Sequence, residues 1–153
     1  MYRHERATAE RIKEGTMDDC IFCRIVKGEI PSAKVYEDEQ CYAFLDIEPL
    51  SWGHTLIVPK KHYERITEMP PAEVAALMSV VPKLAAAVIK AADAEGLNVL
   101  QNNGRVSGQA VPHLHVHLIP RHTGDGLGYR WNARQYGEGE METFHKKILG
   151  ALG

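Results

Sequence analysis

The strongest pattern in the chain is an alternation of histidine and aliphatic residues within the segment Gly108–Arg121. The core of this segment is HLHVHLI, which begins at His113. Successive side chains of an extended strand point to opposite faces, so this period of two places three imidazoles on one face and the aliphatic side chains on the other. A helix would scatter the imidazoles, and the β-branched residues Val116 and Ile119 also favour a strand. We therefore expect residues 113–117 to lie extended.

The rest of the pattern predicts further strands and two helices. The strands are expected at residues 34–37, 41–46, 53–58 and 97–102. Apolar residues recur at steps of three and four over Pro71–Glu95, which predicts a long main helix that stops at Gly96. Pro82 removes a backbone hydrogen bond inside that helix, so we expect a bend near Ser79–Val81. A terminal amphipathic helix is predicted from Met141, Phe144, Ile148 and Leu149.

Length and composition indicate one soluble domain. The chain has 153 residues, of which 44% are hydrophobic and 25% are charged, enough for a sizeable core. Residues 1–16 are polar and lack an apolar stripe, so we treat them as an N-terminal extension and residues 17–153 as a single domain.

Charge and targeting signals narrow the classes of partner. The formal net charge of −2 and the pI of about 6.4 argue against a nucleic-acid-binding surface. We see no apolar run near the roughly 20 residues of a membrane span and no secretory signal, so neither nucleic acid nor a membrane is an expected partner. Two of the three cysteines are spaced CxxC, which fits a reducing compartment better than a disulfide framework. The expected location is the cytoplasm.

The row of histidines has four interpretations. Three buried core histidines would each need hydrogen-bond partners, and a disordered histidine tract does not fit the regular aliphatic spacing. A metal site built from all three is disfavoured because neighbouring rings on one strand do not readily converge on one ion. Phosphoryl chemistry fits better, since a neutral imidazole is a nucleophile near pH 7 and a protonated neighbour stabilises phosphate charge.

The CxxC pair, Cys20 and Cys23, is a weaker signal with three interpretations. The pair is either two small core residues, a redox pair without the usual βαβ context, or half of a zinc site. A zinc site needs two more ligands, for which His62 and His113 are candidates. Cys41 lies within an apolar strand and is expected to be a small buried residue.

The loop before the histidine row has two interpretations as well. It is either a plain hairpin connection or an anion-binding concavity formed by backbone N–H groups around Gly108–Ala110, because glycine lets a phosphate approach the chain closely.

Four blocks in order resemble the histidine triad (HIT) superfamily. They are LDIEP (Leu45–Pro49), GHTLIVPKKH (Gly53–His62), the NNG…GQ loop, and HLHVHLI, which is similar to the signature His-φ-His-φ-His-φ-φ. The resemblance is to the Hint-like and bacterial HIT-hydrolase branches and extends from about Cys20 to Arg121. It implies an α+β fold with a five-stranded antiparallel sheet. It also implies a homodimer that pairs central strands and main helices.

The resemblance implies a nucleotide hydrolase that acts at the α-phosphate of a purine nucleotide conjugate. His115 would attack through Nε2 and form a covalent nucleotidyl-histidine that water then cleaves. His117 would bond a phosphate oxygen, and His54 would tune or relay protons. His113 would act by position if it binds zinc.

The resemblance also implies the binding residues. Asp46 would hold the ribose hydroxyls, and a carboxylate suits a vicinal diol because it accepts two hydrogen bonds. The implied base-pocket residues are Phe22, Ile30, Phe44 and Ile47, and the implied phosphate-side residues are Asn102, Gly108, Gln109 and Ala110. Trp131 would reach toward an active site. Cys20, Cys23, His62 and His113 match a structural zinc site.

One position departs from the Hint-like pattern. Ala110 stands where Ser or Thr is usual, which removes a hydroxyl next to the leaving group. His117 stands where the uridylyltransferase branch has Gln, which favours hydrolysis over transfer. A nucleotide-binding or scaffold module with vestigial catalysis is therefore the alternative, and a protein with only a structural zinc site is a weaker one.

Overall fold

The structure is a computed structural model that describes residues 19–128 and 133–153. Its helices are α1 (Ile21–Val26), α2 (Pro71–Ser79), α3 (Val81–Ala92) and α4 (Glu140–Leu152), with 3-10 turns at Ile66–Glu68 and Arg105–Ser107. Its strands are β1 (Lys34–Glu37), β2 (Cys41–Leu45), β3 (Thr55–Pro59), β4 (Gly96–Gln101) and β5 (Val116–Arg121). The expected N-terminal extension lies outside the described residues.

The five strands form one sheet in the order β1-β2-β3-β5-β4. Every neighbouring pair is antiparallel. The predicted α+β architecture with a five-stranded antiparallel sheet is therefore confirmed.

The alternation in β2 shows why both faces of the sheet are covered. Cys41 and Ala43 pack into the core cluster that contains α2 and α3, whereas Tyr42 and Phe44 pack with residues of α1 on the other face. Side chains of a strand alternate between faces, so one short strand contributes to two cores. Cys41 is 1% exposed, which confirms it as a core residue.

The long main helix is two helices. The predicted bend is a break at Val80, and Pro82 stands in the first turn of α3, where its missing N–H costs no helical hydrogen bond. The predicted stop at Gly96 is wrong, because α3 ends at Ala92. Asp93 then adopts a left-handed conformation with φ of 49°, and Gly96 already begins β4.

The segment Pro71–Ala92 also corrects the expectation that no apolar run is long enough for a membrane span. Its mean hydropathy of 1.8 over an 18-residue window satisfies the length and composition of a span. Its buried side chains, among them Leu77, Leu84 and Val88, pack on the sheet, and core helices of soluble proteins pass the same test. Only 28% of that window is buried, so α2 and α3 expose an apolar, alanine-rich surface.

The strand that carries the histidine row begins later than predicted. β5 starts at Val116, so only the last of the three histidines lies within it. The preceding backbone is held by other partners, since the His113 N–H donates to the Val111 carbonyl (2.9 Å) and the Leu114 N–H to the Tyr63 carbonyl (2.6 Å). These contacts replace the expected pairing with the neighbouring strands.

Helix α4 confirms the predicted terminal helix, but none of its residues is buried in the described part of the chain. The apolar side chains of Met141, Phe144, Ile148 and Leu149 are 51–64% exposed.

Candidate active site and metal centre

The histidine row keeps its alternation although most of it precedes β5. Leu114, Val116 and Leu118 belong to the core cluster of α2 and α3. The imidazoles face the other way, where the Phe22 ring lies 5.2 Å from that of His115. The rings of His115 and His117 are 4.8 Å apart. The chain therefore places neighbouring imidazoles on one face, as the sequence predicts.

His115 is held in one tautomer. Its Nδ1 lies 2.7 Å from the His113 carbonyl oxygen, and because a carbonyl only accepts, Nδ1 carries the proton. Its Nε2 is then the atom with the lone pair. Burial lowers the pKa of His115, so the ring is neutral at pH 7.

His54 and His117 form a second contact beside it. His54 lies in a position that by itself suggests a surface residue, yet it is 2% exposed. Its Nε2 lies 2.9 Å from His117 Nδ1. Burial is the main reason that the pKa of His54 is lowered. Burial, together with the neighbouring imidazoles, lowers the pKa of His117 to about 4.

Asp46 directly follows β2 and lies in a turn beside His54. Its Oδ1 accepts the Glu48 N–H at 2.9 Å, which confirms a turn role. Its Oδ2 lies 3.8 Å from His54 Nε2. The expected ribose ligand is therefore next to the histidines.

Three of the four expected base-pocket residues lie together. Phe22 and Phe44 pack edge to face with ring centroids 5.5 Å apart, and Ile30 packs against the same cluster. Ile47 is 92% exposed and is not part of that cluster. Trp131 lies outside the described residues.

The loop between β4 and β5 is a longer connection than a plain hairpin. Gly108 has φ of 98°, and a Cβ there would lie 3.4 Å from Asn102 Nδ2, so glycine lets the Asn102 amide lie against the loop. In this structure the Gly108 N–H donates to the Arg105 carbonyl at 3.0 Å, and its predicted use for an α-phosphate stays a prediction. Among the described residues the exposed Ala110 N–H has no hydrogen-bond partner.

Gln109 holds this loop from inside. It is 5% exposed; its Oε1 accepts the Gly104 N–H, and its Nε2 donates to the Glu64 carbonyl, both at 2.7 Å. The side-chain amide is thus engaged within the protein, and the Gln109 N–H donates to the Gly104 carbonyl at 3.3 Å. The predicted nucleotide contact of Gln109 stays a prediction.

Replacing Gln109 with leucine is expected to lower the free energy of unfolding by about 1–3 kcal/mol, because the Gly104 N–H and the Glu64 carbonyl lose their partners. Urea unfolding measures this change. The exposed Gln135→Leu is the matched control and should unfold like the parent; an equal midpoint for both variants would contradict the role of Gln109.

A second cluster joins α1 to the start of the histidine row. Cys20, Cys23, His62 and His113 bring one ligand atom each to within 4.8 Å of one another. The Cys20 Sγ–His113 Nδ1, Cys23 Sγ–His62 Nδ1 and His62 Nδ1–His113 Nδ1 distances are 3.3, 3.4 and 3.1 Å. Tetrahedral zinc requires edges of roughly 3.3–3.8 Å between such atoms; the two sulfur–nitrogen distances lie in this range, and the nitrogen–nitrogen distance of 3.1 Å is slightly shorter. The donor set and its spacing therefore fit zinc.

His113 is oriented for this cluster by a backbone group. Its Nε2 lies 2.9 Å from the Pro59 carbonyl oxygen, so Nε2 carries the proton and Nδ1 faces the cysteines with its lone pair. Burial lowers the pKa of His113 to about 4. Both ring nitrogens of His113 thus have partners. Its expected contribution to catalysis is therefore to position His115, which donates to the His113 carbonyl.

The depressed pKa of His117 predicts how stability depends on pH. The unfolded side chain binds a proton below its ordinary value of 6.5, whereas the folded one does so only below about 4. The free energy of unfolding therefore falls as the pH falls through this window, and the effect vanishes above it. We expect His117→Gln to recover about 2 kcal/mol of this loss at pH 4.5. Denaturant curves from pH 7 to pH 4.5 measure it, and parallel losses in both proteins would contradict it.

The comparisons with known proteins settle the family. A family model described as the HIT domain matches residues 27–124. This chain belongs to the HIT family. Relatives across much of its length carry the same assignment, including an uncharacterized HIT-like protein of Methanocaldococcus jannaschii that is 55% identical over 70% of this chain and 82% of its own.

Several relatives are named for activities. The adenosine 5'-monophosphoramidase of Saccharomyces cerevisiae is 42% identical over 87% of this chain and 82% of its own. The adenylylsulfatase of Arabidopsis thaliana is 46% identical over 76% of this chain and 60% of its own.

Solved HIT structures share the fold. A Streptococcus mutans protein superposes with a TM-score of 0.86 at 42% identity, over 91% of this chain and 88% of that one. A histidine triad family protein of Mycobacterium smegmatis, described as zinc-bound, superposes with a TM-score of 0.69 at 36% identity, over 90% and 97%.

Sequence reasoning missed the backbone partners of the site. The Pro59 carbonyl at His113 and the Leu50 N–H at His54 leave no mark in residue types, because every non-proline residue offers both groups. Helix α1 was missed as well, since six residues carry too little periodicity to predict a helix.

Proposed function

We propose that this protein is a nucleotide hydrolase that cleaves at the α-phosphate of a purine nucleoside phosphoramidate, a dinucleoside polyphosphate or a related conjugate. The reaction passes through a covalent nucleotidyl-His115 and releases a nucleoside monophosphate. The observation that carries the proposal is the hydrogen bond from His115 Nδ1–H to the His113 carbonyl, which leaves Nε2 unprotonated at neutral pH. Membership of the HIT family and the activities named for its relatives support it.

The first step exchanges one bond at phosphorus for another. The Nε2 lone pair of His115 forms a bond to the α-phosphorus as the bond to the leaving group breaks. The proton that the leaving group needs comes from a neighbouring imidazole or from water, and His117 hydrogen-bonds a phosphate oxygen. Phosphoryl transfer depends mainly on such positioning and charge stabilisation. Water then attacks the same phosphorus and frees His115.

The nucleoside is proposed to lie beside the histidines. Asp46, 3.8 Å from His54 Nε2, offers its carboxylate to the ribose hydroxyls. Phe22, which packs on Phe44, also packs edge to face on the His115 ring, and this aromatic pair would bound the apolar side of the site. The amide of Asn102 and the N–H of Ala110 border the phosphate side.

We propose that Cys20, Cys23, His62 and His113 hold a structural zinc ion. Such a site closes all four positions with protein ligands. It would fasten α1 to the residue whose carbonyl orients His115, and no chemical step passes through it.

We propose that the protein is a cytoplasmic homodimer. The apolar surface left by α2 and α3 and the exposed apolar side chains of α4 are larger than single scattered residues and require cover. Light scattering coupled to gel filtration should give twice the mass of 17.1 kDa, and a monomer at micromolar concentration would remove this part of the proposal.

The test is a substrate panel with the purified protein. Adenosine phosphoramidate, a diadenosine polyphosphate and adenylyl sulfate are incubated with it, and AMP is measured by chromatography. AMP from at least one of them, with a trapped nucleotidyl-protein adduct, supports the proposal. Tight AMP binding without turnover of any substrate would favour a binding module, for which the missing hydroxyl at Ala110 is the specific indication.

A further inference from the structure

The loop between β2 and β3 supplies a backbone contact that fixes the protonation of His54. The Leu50 N–H donates to His54 Nδ1 at 3.1 Å. A backbone N–H can only donate, so Nδ1 must carry the lone pair. A neutral imidazole has one N–H, and in His54 it is therefore on Nε2.

The tautomer of His54 determines the tautomer of His117. His54 Nε2 lies 2.9 Å from His117 Nδ1, and since Nε2 has the proton, His117 Nδ1 accepts it. The remaining proton of His117 is then on its Nε2. His115 has the opposite arrangement, with its proton on Nδ1 and its lone pair on Nε2.

We propose that the backbone amide of Leu50 is a positioning group that sets the tautomers of His54 and His117, so that His117 presents an Nε2–H donor beside the nucleophilic Nε2 of His115. This inference rests on the proposed function and deepens it. A donor next to a lone pair is what attack on a phosphate requires: one ring bonds the phosphorus and the other hydrogen-bonds its oxygen.

The hydrogen bond from the Leu50 N–H to His54 Nδ1 also indicates whether His54 and His117 bind a metal ion or only hydrogen-bond to each other. Asp46, His54 and His117 have ligand atoms within 4.8 Å of one another, a spacing that also suits a metal ion. A metal would need the His54 Nε2 lone pair, but the Leu50 N–H places a proton there. At His113 the backbone partner is the Pro59 carbonyl, which leaves Nδ1 as a ligand. Backbone groups of opposite polarity thus direct one histidine cluster to metal and the other to hydrogen bonding.

The loop is built to hold this amide in place. The His54 N–H donates back to the Ser51 carbonyl at 3.0 Å, and Ser51 Oγ donates to the Pro120 carbonyl at 2.7 Å. The Leu50 side chain itself is 57% exposed. The contact therefore depends on the backbone of Leu50 and hardly on its side chain, which allows a matched pair of variants.

The experiment replaces Leu50 with its α-hydroxy analogue, which turns the amide N–H into an ester oxygen and keeps the side chain. Leu50→Pro removes the same donor genetically, and Leu50→Ala keeps the donor and loses the side chain. With adenosine phosphoramidate, we expect the ester and proline variants to lose about tenfold in kcat with KM within about twofold. Leu50→Ala should match the parent.

Ring ¹⁵N shifts measured without substrate separate this inference from the proposed function. The parent should show Nε2–H tautomers for both His54 and His117, and the ester variant should show a share of Nδ1–H at His54. A parent His54 with its proton on Nδ1 would overturn the inference, as would an ester variant with the parent's kcat. A parent without turnover on any substrate would overturn the proposed function while leaving the tautomers to be read.

Discussion

Replacing His115 with alanine is expected to lower kcat for adenosine phosphoramidate by at least about 10⁴-fold, the size of effect that follows loss of a covalent nucleophile. The reason is specific to this ring. Its Nδ1–H is engaged by the His113 carbonyl and its burial keeps it neutral. Water or another group would have to replace an aligned lone pair, and the advantage of a held reactant would be lost.

The matched control is His145→Ala, because His145 is an exposed histidine of α4 outside the site. Stopped-flow measurement of AMP release and acid-quench analysis of the labelled protein follow the two half-reactions. We expect no labelled adduct in His115→Ala, with AMP binding kept within about fivefold since the nucleoside contacts remain. Turnover near that of the parent would exclude His115 as the nucleophile.

The fold was predictable wherever one residue type alternated with another. The period of two in β2 and in the histidine row survives in the structure, because each faces a core on one side and a different environment on the other. The residues at which the strands begin and end were less predictable. The start of β5 depends on the Leu114 N–H meeting the Tyr63 carbonyl, a contact between residues far apart in sequence.

The candidate site also has some features that the sequence predicts and others that it does not. The CxxC pair calls for two further zinc ligands, and the HIT resemblance pointed to His62 and His113 for them; the structure brings all four residues together. The use of the Gly108 N–H could not be predicted, since it depends on the 3-10 turn at Arg105–Ser107. Gln109 appears as a polar loop residue in the sequence, and only its burial shows that it supports the loop.

Replacing Cys23 with alanine is expected to remove the metal and to lower the free energy of unfolding by at least about 3 kcal/mol. Binding of structural zinc contributes directly to folding, by roughly 10–16 kcal/mol for the complete site, so loss of the ion costs more than the share of one ligand. Metal analysis of protein purified without added metal should find about one zinc ion per chain in the parent and a small fraction of that in the variant. Thermal and urea unfolding give the stability change.

The control is Cys41→Ala, which removes a buried thiol of the opposite core cluster. It should cost about 1–2 kcal/mol through lost packing and keep the metal. A chelator should destabilise the parent and Cys41→Ala but leave Cys23→Ala unchanged, because the variant and the chelator remove the same interaction. A parent that is folded, metal-free and insensitive to the chelator would contradict the zinc site.

Loss of the zinc is also expected to lower kcat, because it affects the His113 carbonyl oxygen that orients His115. The carbonyl that orients His115 belongs to His113, and the His113 ring is held between the cysteines and the Pro59 carbonyl. Cys23→Ala would remove the Cys23 Sγ–His113 Nδ1 contact of 3.5 Å together with the proposed metal, so the His113 ring and its carbonyl would be less firmly placed. We therefore expect kcat of Cys23→Ala to fall with little change in KM, even where the variant is still folded. On the proposed function, the metal would support catalysis by fixing the backbone that orients His115.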